Sequence, residues 1–295
     1  MAALVAALVA AVACLTSTVA GQGADSLAPR PSSPAPRTLR VCSDPNNMPF
    51  SDRSGEGFEN EIAALLARDL GRRVEYTWRP QRRGFVRNTL NAGECDLVMG
   101  VPSGYDLVRA TVPYYRSTYV FVYRRDRGLH VRSLDDSALR RVRVGVHLIG
   151  DDYQNTPPAQ ALALRGIIDN VKGYTIYGDY SKPNPPADII RAVAKGEIDV
   201  AIVWGPFGGY FASREGVPLE VVPVTPDPDP SGLPFAFSIA MGVRKSDDAL
   251  AAELNRLLRS DAPAIRAILE RYGVPLVDVA AAPGPQRESM NHQQR

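Results

Sequence analysis

Lysine is nearly missing from this chain. Only Lys172, Lys182, Lys195 and Lys245 occur among 34 basic residues, and the rest are arginine. Histidine is as sparse, at His130, His147 and His292, and cysteine is limited to Cys14, Cys42 and Cys95. With so few imidazoles and thiols, set far apart, no zinc-ligand spacing exists. The net charge is only +2, so the chain carries no strong field for a nucleic acid. No G-x-S-x-G elbow, P-loop or strand-terminal G-x-G-x-x-G occurs, which removes the usual nucleophile and nucleotide signatures. Metal, cofactor and nucleic acid are therefore not expected, and the chain does not read as an enzyme.

A run long enough to span a membrane is also lacking. The first twenty residues, MAALVAALVAAVACLTSTVA, are apolar and uncharged, but they are short for a spanning helix and lead into a Gly/Pro/Ser stretch. They predict a secretory signal over residues 1–24, cut after Ala20 or Ala24, followed by a linker over 25–38. Export to the periplasm leaves Cys42 and Cys95 in an oxidising compartment. A bridge between them would close about 54 residues and contribute on the order of 4 kcal/mol. Two buried thiols remain the alternative, since opposite ends of neighbouring strands lie beyond disulfide reach.

What is present is an alternating β/α pattern in a chain of 295 residues, 45% apolar and 22% charged, enough for two ordinary domains. LRVCS, VEYTW and CDLVMGV read as strands, separated by the helical stretches GFENEIAALLARDLG and RGFVRNTLNAG. The β-rich run PYYRSTYVFVYRR follows. A second series comprises RVRVGVH, PPAQALALRGI, YTIYG, PPADIIRAVAKG and IDVAIVWG, then LEVVPV. FAFSIAMGVRK is a further strand. Two helices close the pattern, DDALAAELNRLLRS with Ser246 as the expected cap and PAIRAILERYG capped by Asp261. Continuous apolar strands imply parallel sheets covered on both faces.

The pattern predicts an α/β, two-lobed fold: lobe 1 over 39–122 plus 235–275, lobe 2 over 123–234, and a polar tail over 276–295. Crossovers are expected near Val120–Arg127 and Pro226–Pro234, with a hinged cleft between the lobes. Ligands of such sheets sit outside the carboxyl ends of the strands. The loops after Ser43, Gly100, His147 and Trp204 lie there. Candidate cleft residues are Asp44, Asn46, Asn47, Met48, Phe50, Tyr105, Trp204, Phe207 and Tyr210, although Phe207 and Tyr210 would equally serve to pack a helix. Arg72, Arg73, Arg79, Arg82, Arg83 and Arg87 form a basic run, either a solvated face or a docking patch for an acidic partner. Asp151-Asp152 is a weak cation candidate.

RVCSDPNNMPFS with GFENEIAALLARDLG, LNAGECDLVMG, PYYRSTYVFVY, VAKGEIDVAIVWGP, and MGVRKSD with ILERYG, in that order, resemble the type II periplasmic solute-binding proteins. In amino-acid receptors of that family an arginine after the third strand grips the ligand carboxylate, and an aspartate after the DxxxV strand holds the ammonium. Here those places fall at Gly104 or Tyr105 and at Trp204, with Arg109 too near the next strand to substitute. A buried ammonium or carboxylate without a partner costs several kcal/mol, on the order of 3–5, so a free amino acid fits poorly. CSDPNNMPFS, GVPSGYD, VPYYRSTYVFVY, TPPAQALA and IVWGPFGGYFA resemble the J proteins of methanol-oxidation clusters, the MoxJ/XoxJ type. The resemblance implies an accessory protein for a PQQ-dependent alcohol dehydrogenase, with that quinoprotein as partner and a cytochrome c as a further candidate. A receptor for a small solute other than an amino acid is the competing expectation.

Overall fold

The computed structural model describes residues 38–149, 155–176 and 180–278. The expected signal, nearly all of the linker, Asp151-Asp152, His292 and most of the tail lie outside these residues. Among them, no helix is long and apolar enough to cross a membrane.

The strands are β1 (Thr38–Ser43), β2 (Asn46–Asn47), β3 (Ser51–Asp52), β4 (Arg73–Trp78), β5 (Leu97–Pro102), β6 (Arg109–Ala110), β7 (Tyr115–Arg124), β8 (Val144–Leu148), β9 (Val171–Thr175), β10 (Val200–Trp204), β11 (Leu219–Pro223) and β12 (Ala236–Val243). The helices are α1 (Phe58–Asp69), α2 (Phe85–Asn88), α3 (Pro157–Leu164), α4 (Asp188–Lys195), α5 (Gly205–Ala212), α6 (Asp248–Ser260) and α7 (Ala262–Arg271).

The first lobe pairs β4, β1 and β5 in parallel, with β12 antiparallel to β5. The second pairs β9, β8 and β10 in parallel. In both lobes the inner strands are apolar because helices cover both faces. Phe58, Ile62 and Leu66 of α1 are fully buried with Leu39, Val41 and Leu97, and Leu254 and Ile265 of α6 and α7 close the same core. Each such side chain contributes about 1.5–3 kcal/mol by leaving water. In the second lobe Ile189, Ile190 and Val193 of α4 pack on Val203 and Phe207.

One long strand joins the lobes. The first part of β7, Tyr115–Thr118, pairs with Ile239–Ala236 of β12. Its continuation, Tyr119–Tyr123, pairs with Trp204–Val200 of β10. The chain returns between β11 and β12. There the Asp227 carboxylate accepts hydrogen bonds from the Phe235 and Ala236 amides at 2.7 and 3.1 Å and pairs with Arg116 at 3.1 Å.

Three local expectations shift. The helix expected over RGFVRNTLNAG is a single turn, α2. The Thr89 hydroxyl donates to the Phe85 carbonyl at 2.7 Å and the chain turns away. β9 begins at Val171 rather than in YTIYG, because its register on β8 sets Val144 against Val171. The cap of α6 is Asp247, whose carboxylate accepts the Leu250 amide at 3.2 Å, and not Ser246. Asp261 stands at the N-cap position of α7 as expected, but its side chain makes no capping bond and accepts the Ser260 hydroxyl at 3.0 Å instead.

Cys42 and Cys95 form a disulfide, with Cα atoms 5.6 Å apart. Cys95 lies in the turn that enters β5, not at the far end of that strand, and this brings it beside β1.

The lobes also meet where α5 passes the end of α7. A Cβ on Gly209 would stand 2.0 Å from the Gly273 carbonyl oxygen. Gly209→Ala is therefore expected to cost roughly 1–3 kcal/mol in denaturant unfolding. Gly216→Ala, with open space around it, is expected to cost well under 1 kcal/mol. Equal losses in the two variants would show that the close approach does not matter.

Candidate functional site

The carboxyl ends of β1, β5, β8 and β10 face a cavity of about 880 Å³. The loop after β1 forms its mouth. Asp44 is buried, with 3% of its surface exposed. One of its oxygens accepts the Asn46 amide at 2.8 Å; the other accepts the Gln81 amide at 2.6 Å and the Tyr180 hydroxyl at 2.5 Å. Burial, followed by the Asp44 carboxylate beside it, pushes the Tyr180 hydroxyl above its usual pKa. The Asn46 side chain donates to the Lys182 carbonyl at 2.8 Å and accepts from the Asn184 amide at 3.2 Å. These bonds tie the β1 loop to the segment leading into α4, so the two lobes touch across the mouth.

The walls are rings. Phe50, Tyr105, Tyr119, Tyr180, Trp204 and Phe207 all line the cavity. Trp204 packs edge-on against Tyr119 and Phe237, at 5.4 and 5.9 Å between centroids. It ends β10 and starts α5, so backbone geometry aims it into the cleft. His147, next to last in β8, lies edge-on to Phe207 at 5.1 Å, and its Nε2–H donates to the Pro186 carbonyl at 3.2 Å. Burial lowers its pKa to about 4, only partly opposed by that bond, and the ring is neutral at pH 7.

A side chamber of about 180 Å³ opens beside Trp204, bounded by Asn47, Gln81 and Glu59. Glu59, the second residue of α1, is 8% exposed. A Cβ on Gly100 would lie 2.5 Å from its carboxylate, so any larger residue at that place on β5 would displace the Glu59 side chain. Burial, then the nearby Asp44 charge, raises its pKa to about 8. The acid is uncharged at neutral pH.

Of the sequence candidates, Asp44, Asn46, Asn47, Phe50, Tyr105, Trp204 and Phe207 line the cavity. Met48 and Tyr210 do not. Met48 turns into the second-lobe core, 7% exposed. Tyr210 stacks on Tyr272 at 5.8 Å, and the Arg214 guanidinium lies 3.5 Å from its ring centre. The basic run does not make one patch. Arg72 pairs with Glu253 and Arg79 with Glu94, at 2.8 and 2.9 Å. Arg73 starts β4 opposite Thr38, at the end remote from the cleft. Arg82, Arg83 and Arg87 line the cavity. Arg109 is turned away, paired with Asp248 at 2.6 Å. Glu59, Gln81, Asp106, Tyr119 and Tyr180 were not expected at the site. Each arrives through tertiary structure, with no local sequence signal.

Among the described residues lining the cavity there is no serine, threonine, cysteine or lysine. No group of three or more His, Cys, Asp or Glu among the described residues could hold a metal ion.

The profile of bacterial extracellular solute-binding proteins, family 3, matches residues 39–273. Protein MoxJ of Methylorubrum extorquens is 33% identical over 291 residues, covering 94% of this chain and 95% of its own. Protein MoxJ of Paracoccus denitrificans is 30% identical, covering 88% and 96%. The crystal structure of periplasmic binding protein XoxJ from Methylobacterium extorquens AM1 shares 38% identity at a TM-score of 0.68, over 82% of this chain and all of that one.

Proposed function

The chain belongs to family 3 of the bacterial extracellular solute-binding proteins, in the MoxJ and XoxJ branch, and we propose that it serves a dehydrogenase rather than a transporter. It is a periplasmic binding protein of methanol oxidation, without catalysis of its own. It binds a PQQ-dependent methanol or alcohol dehydrogenase through the inter-lobe cleft and helps it mature or become active. A cytochrome c of the same system is a further candidate partner. A signal over 1–24 exports it and a linker spans 25–38. The lobes comprise 39–122 plus 235–275 and 123–234, and a tail covers 276–295. The switch of β7 from β12 to β10 after Thr118 supports a hinge in that strand.

The observation that carries this reading is the ring-lined wall at the two places where an amino-acid receptor would hold its charged clamps. Tyr105 and Trp204 stand there. The buried Asp44 has its oxygens engaged within the protein, which leaves it poorly placed to take a ligand ammonium. Deletion of the gene from a methanol-oxidising host is expected to yield dehydrogenase with reduced activity and reduced PQQ or metal content after purification. A chain carrying Trp204→Ala should restore it only partly. Fully active dehydrogenase from the deletion strain would sink the proposal.

A receptor for a small solute is the second reading, supported by the cavity's volume, which falls in the range of small-molecule sites. Such a ligand at a hundred times its dissociation constant would add about 2.7 kcal/mol of stability. A thermal-shift screen without any hit would argue against it.

A further inference from the structure

The two lobes are fastened to each other at the mouth by side chains and backbone groups of the chain itself. Asp44 is held on lobe 1 by the Asn46 and Gln81 amides, at 2.8 and 2.6 Å. The oxygen that accepts from Gln81 also accepts the Tyr180 hydroxyl, at 2.5 Å, from the lobe 2 segment that leads into α4. The Arg82 guanidinium of lobe 1 lies 5.3 Å from the centre of the same Tyr180 ring, so the tyrosine is held at both its hydroxyl and its ring. The Asn46 side chain commits both its groups to that segment, donating to the Lys182 carbonyl and accepting from the Asn184 amide. Asn184 has a φ of 48°, and among the described residues it is the one non-glycine with a positive φ, a conformation that asparagine tolerates. Pro185 and Pro186, which follow it, line the cavity.

Met48 adds an apolar contact to these polar ones. The lobe 1 loop carries it, yet it is 7% exposed and belongs to the second-lobe core with Val203, Phe207 and Phe211. Two kinds of interaction on one short loop therefore bridge the lobes. In a receptor that closes around its solute, the solute supplies the bridging contacts. Here residues of the two lobes supply them to each other.

We propose that Asp44, Asn46 and Met48 of the β1 loop, with Tyr180 and Asn184 opposite, form a latch that keeps the lobes closed with nothing held between them, so that whatever enters the cleft must first release it. The apparent affinity of an occupant then falls by the fraction of chains that are unlatched. Weakening the latch should tighten binding, the reverse of what holds for a receptor whose solute draws the lobes together. The inference does not depend on whether a protein segment or a small solute enters.

The test measures lobe separation in the mature chain by double electron–electron resonance, with the Cys42–Cys95 bridge left oxidised. Spin labels go on Asn88→Cys in lobe 1 and Gln160→Cys in lobe 2, both exposed and outside the latch. With nothing added, the labelled parent is expected to show one short distance. Tyr180→Phe, which removes one hydroxyl and keeps the ring, should raise a longer-distance population about fivefold, and Asn46→Ala/Tyr180→Phe about tenfold or more. Arg79→Gln breaks an ion pair with Glu94 inside lobe 1 and should leave that population within about twofold. Amide protection in β1 and β8 should match in all chains, which separates opening from unfolding. If the double variant loses that protection, Tyr180→Phe alone decides. A parent already at the long distance, latch variants indistinguishable from it, or equal opening by Arg79→Gln would overturn the proposal. The dehydrogenase takes no part in these measurements, so failure here is separable from a normal deletion strain.

Discussion

Replacing Glu59 with glutamine is expected to leave stability near pH 5 almost unchanged and to raise it strongly near pH 9. Glu59 titrates at about 8 in the folded chain against an ordinary 4.5, because burial disfavours its charge and the Asp44 carboxylate adds to the effect. The folded state thus holds a proton that the unfolded state releases between those values. Stability that is fully present below the unfolded pKa is lost as pH rises through the folded one. At about 1.4 kcal/mol for each tenfold change, the loss amounts to about 5 kcal/mol. Tyr114 and Tyr115, whose hydroxyls are also held neutral by burial and by the Glu59 charge, do not offset it. Glutamine keeps the shape of the neutral acid and has no proton to lose. Urea unfolding of both chains at pH 5 and pH 9 measures the difference. Parallel pH dependence in the two would show that Glu59 ionises without cost, through water admitted by the side chamber it borders.

The fold was legible where one rule dominated. β1, β5, β8 and β10 are apolar because helices cover both faces, and Gly71 and Gly196 end their helices in the left-handed conformation that glycine tolerates. Edge elements were less legible. β9 is half exposed, so its sequence signal is weak and pairing with β8 sets its start. α2 has the composition of a longer helix, but Thr89 and the following turn stop it. Ser246 has the residue type of a cap, but the helix begins at Asp248, so Asp247 takes that place.

The site was legible at strand ends and opaque elsewhere. Asp44, Asn46, Asn47 and Phe50 follow β1, and Trp204 ends β10, so the carboxyl-end rule finds them. Met48 sits between Asn47 and Phe50 yet faces the core, since neighbours in an irregular loop need not share a face. Glu59 stands near a helix start, where the dipole welcomes a carboxylate whether or not the residue is buried. Its burial under Gly100 depends on how α1 meets β5, 41 positions along the chain. Tyr180 reaches Asp44 across 136 positions, a contact that no local pattern encodes.

Removal of the Cys42–Cys95 bridge is expected to cost about 4 kcal/mol. The cysteines are 53 positions apart, and closing a loop of that size restricts the unfolded chain by that amount in the entropy account. Both are essentially buried, at 2% and 0% exposure, among Phe85, Val86, Leu90 and Val98. Alanine is therefore the appropriate replacement, because serine would add unpaired hydroxyls. Guanidinium unfolding of Cys42→Ala/Cys95→Ala, set against the reduced parent chain, separates loop closure from packing. The reduced parent should lose nearly as much as the double variant. The closed loop contains both the Asp44–Phe50 mouth and the Arg82–Arg87 wall, so the same change should loosen the cleft. Tyr180 would then lose a fixed Asp44 to bond, and amides of the β1 loop should exchange with solvent faster than those of β10. If the double variant lost under 1 kcal/mol and its loop amides stayed protected, the hydrogen bonds from Asp44 to Gln81 and Tyr180 would be what holds the mouth, and the bridge would be dispensable to it.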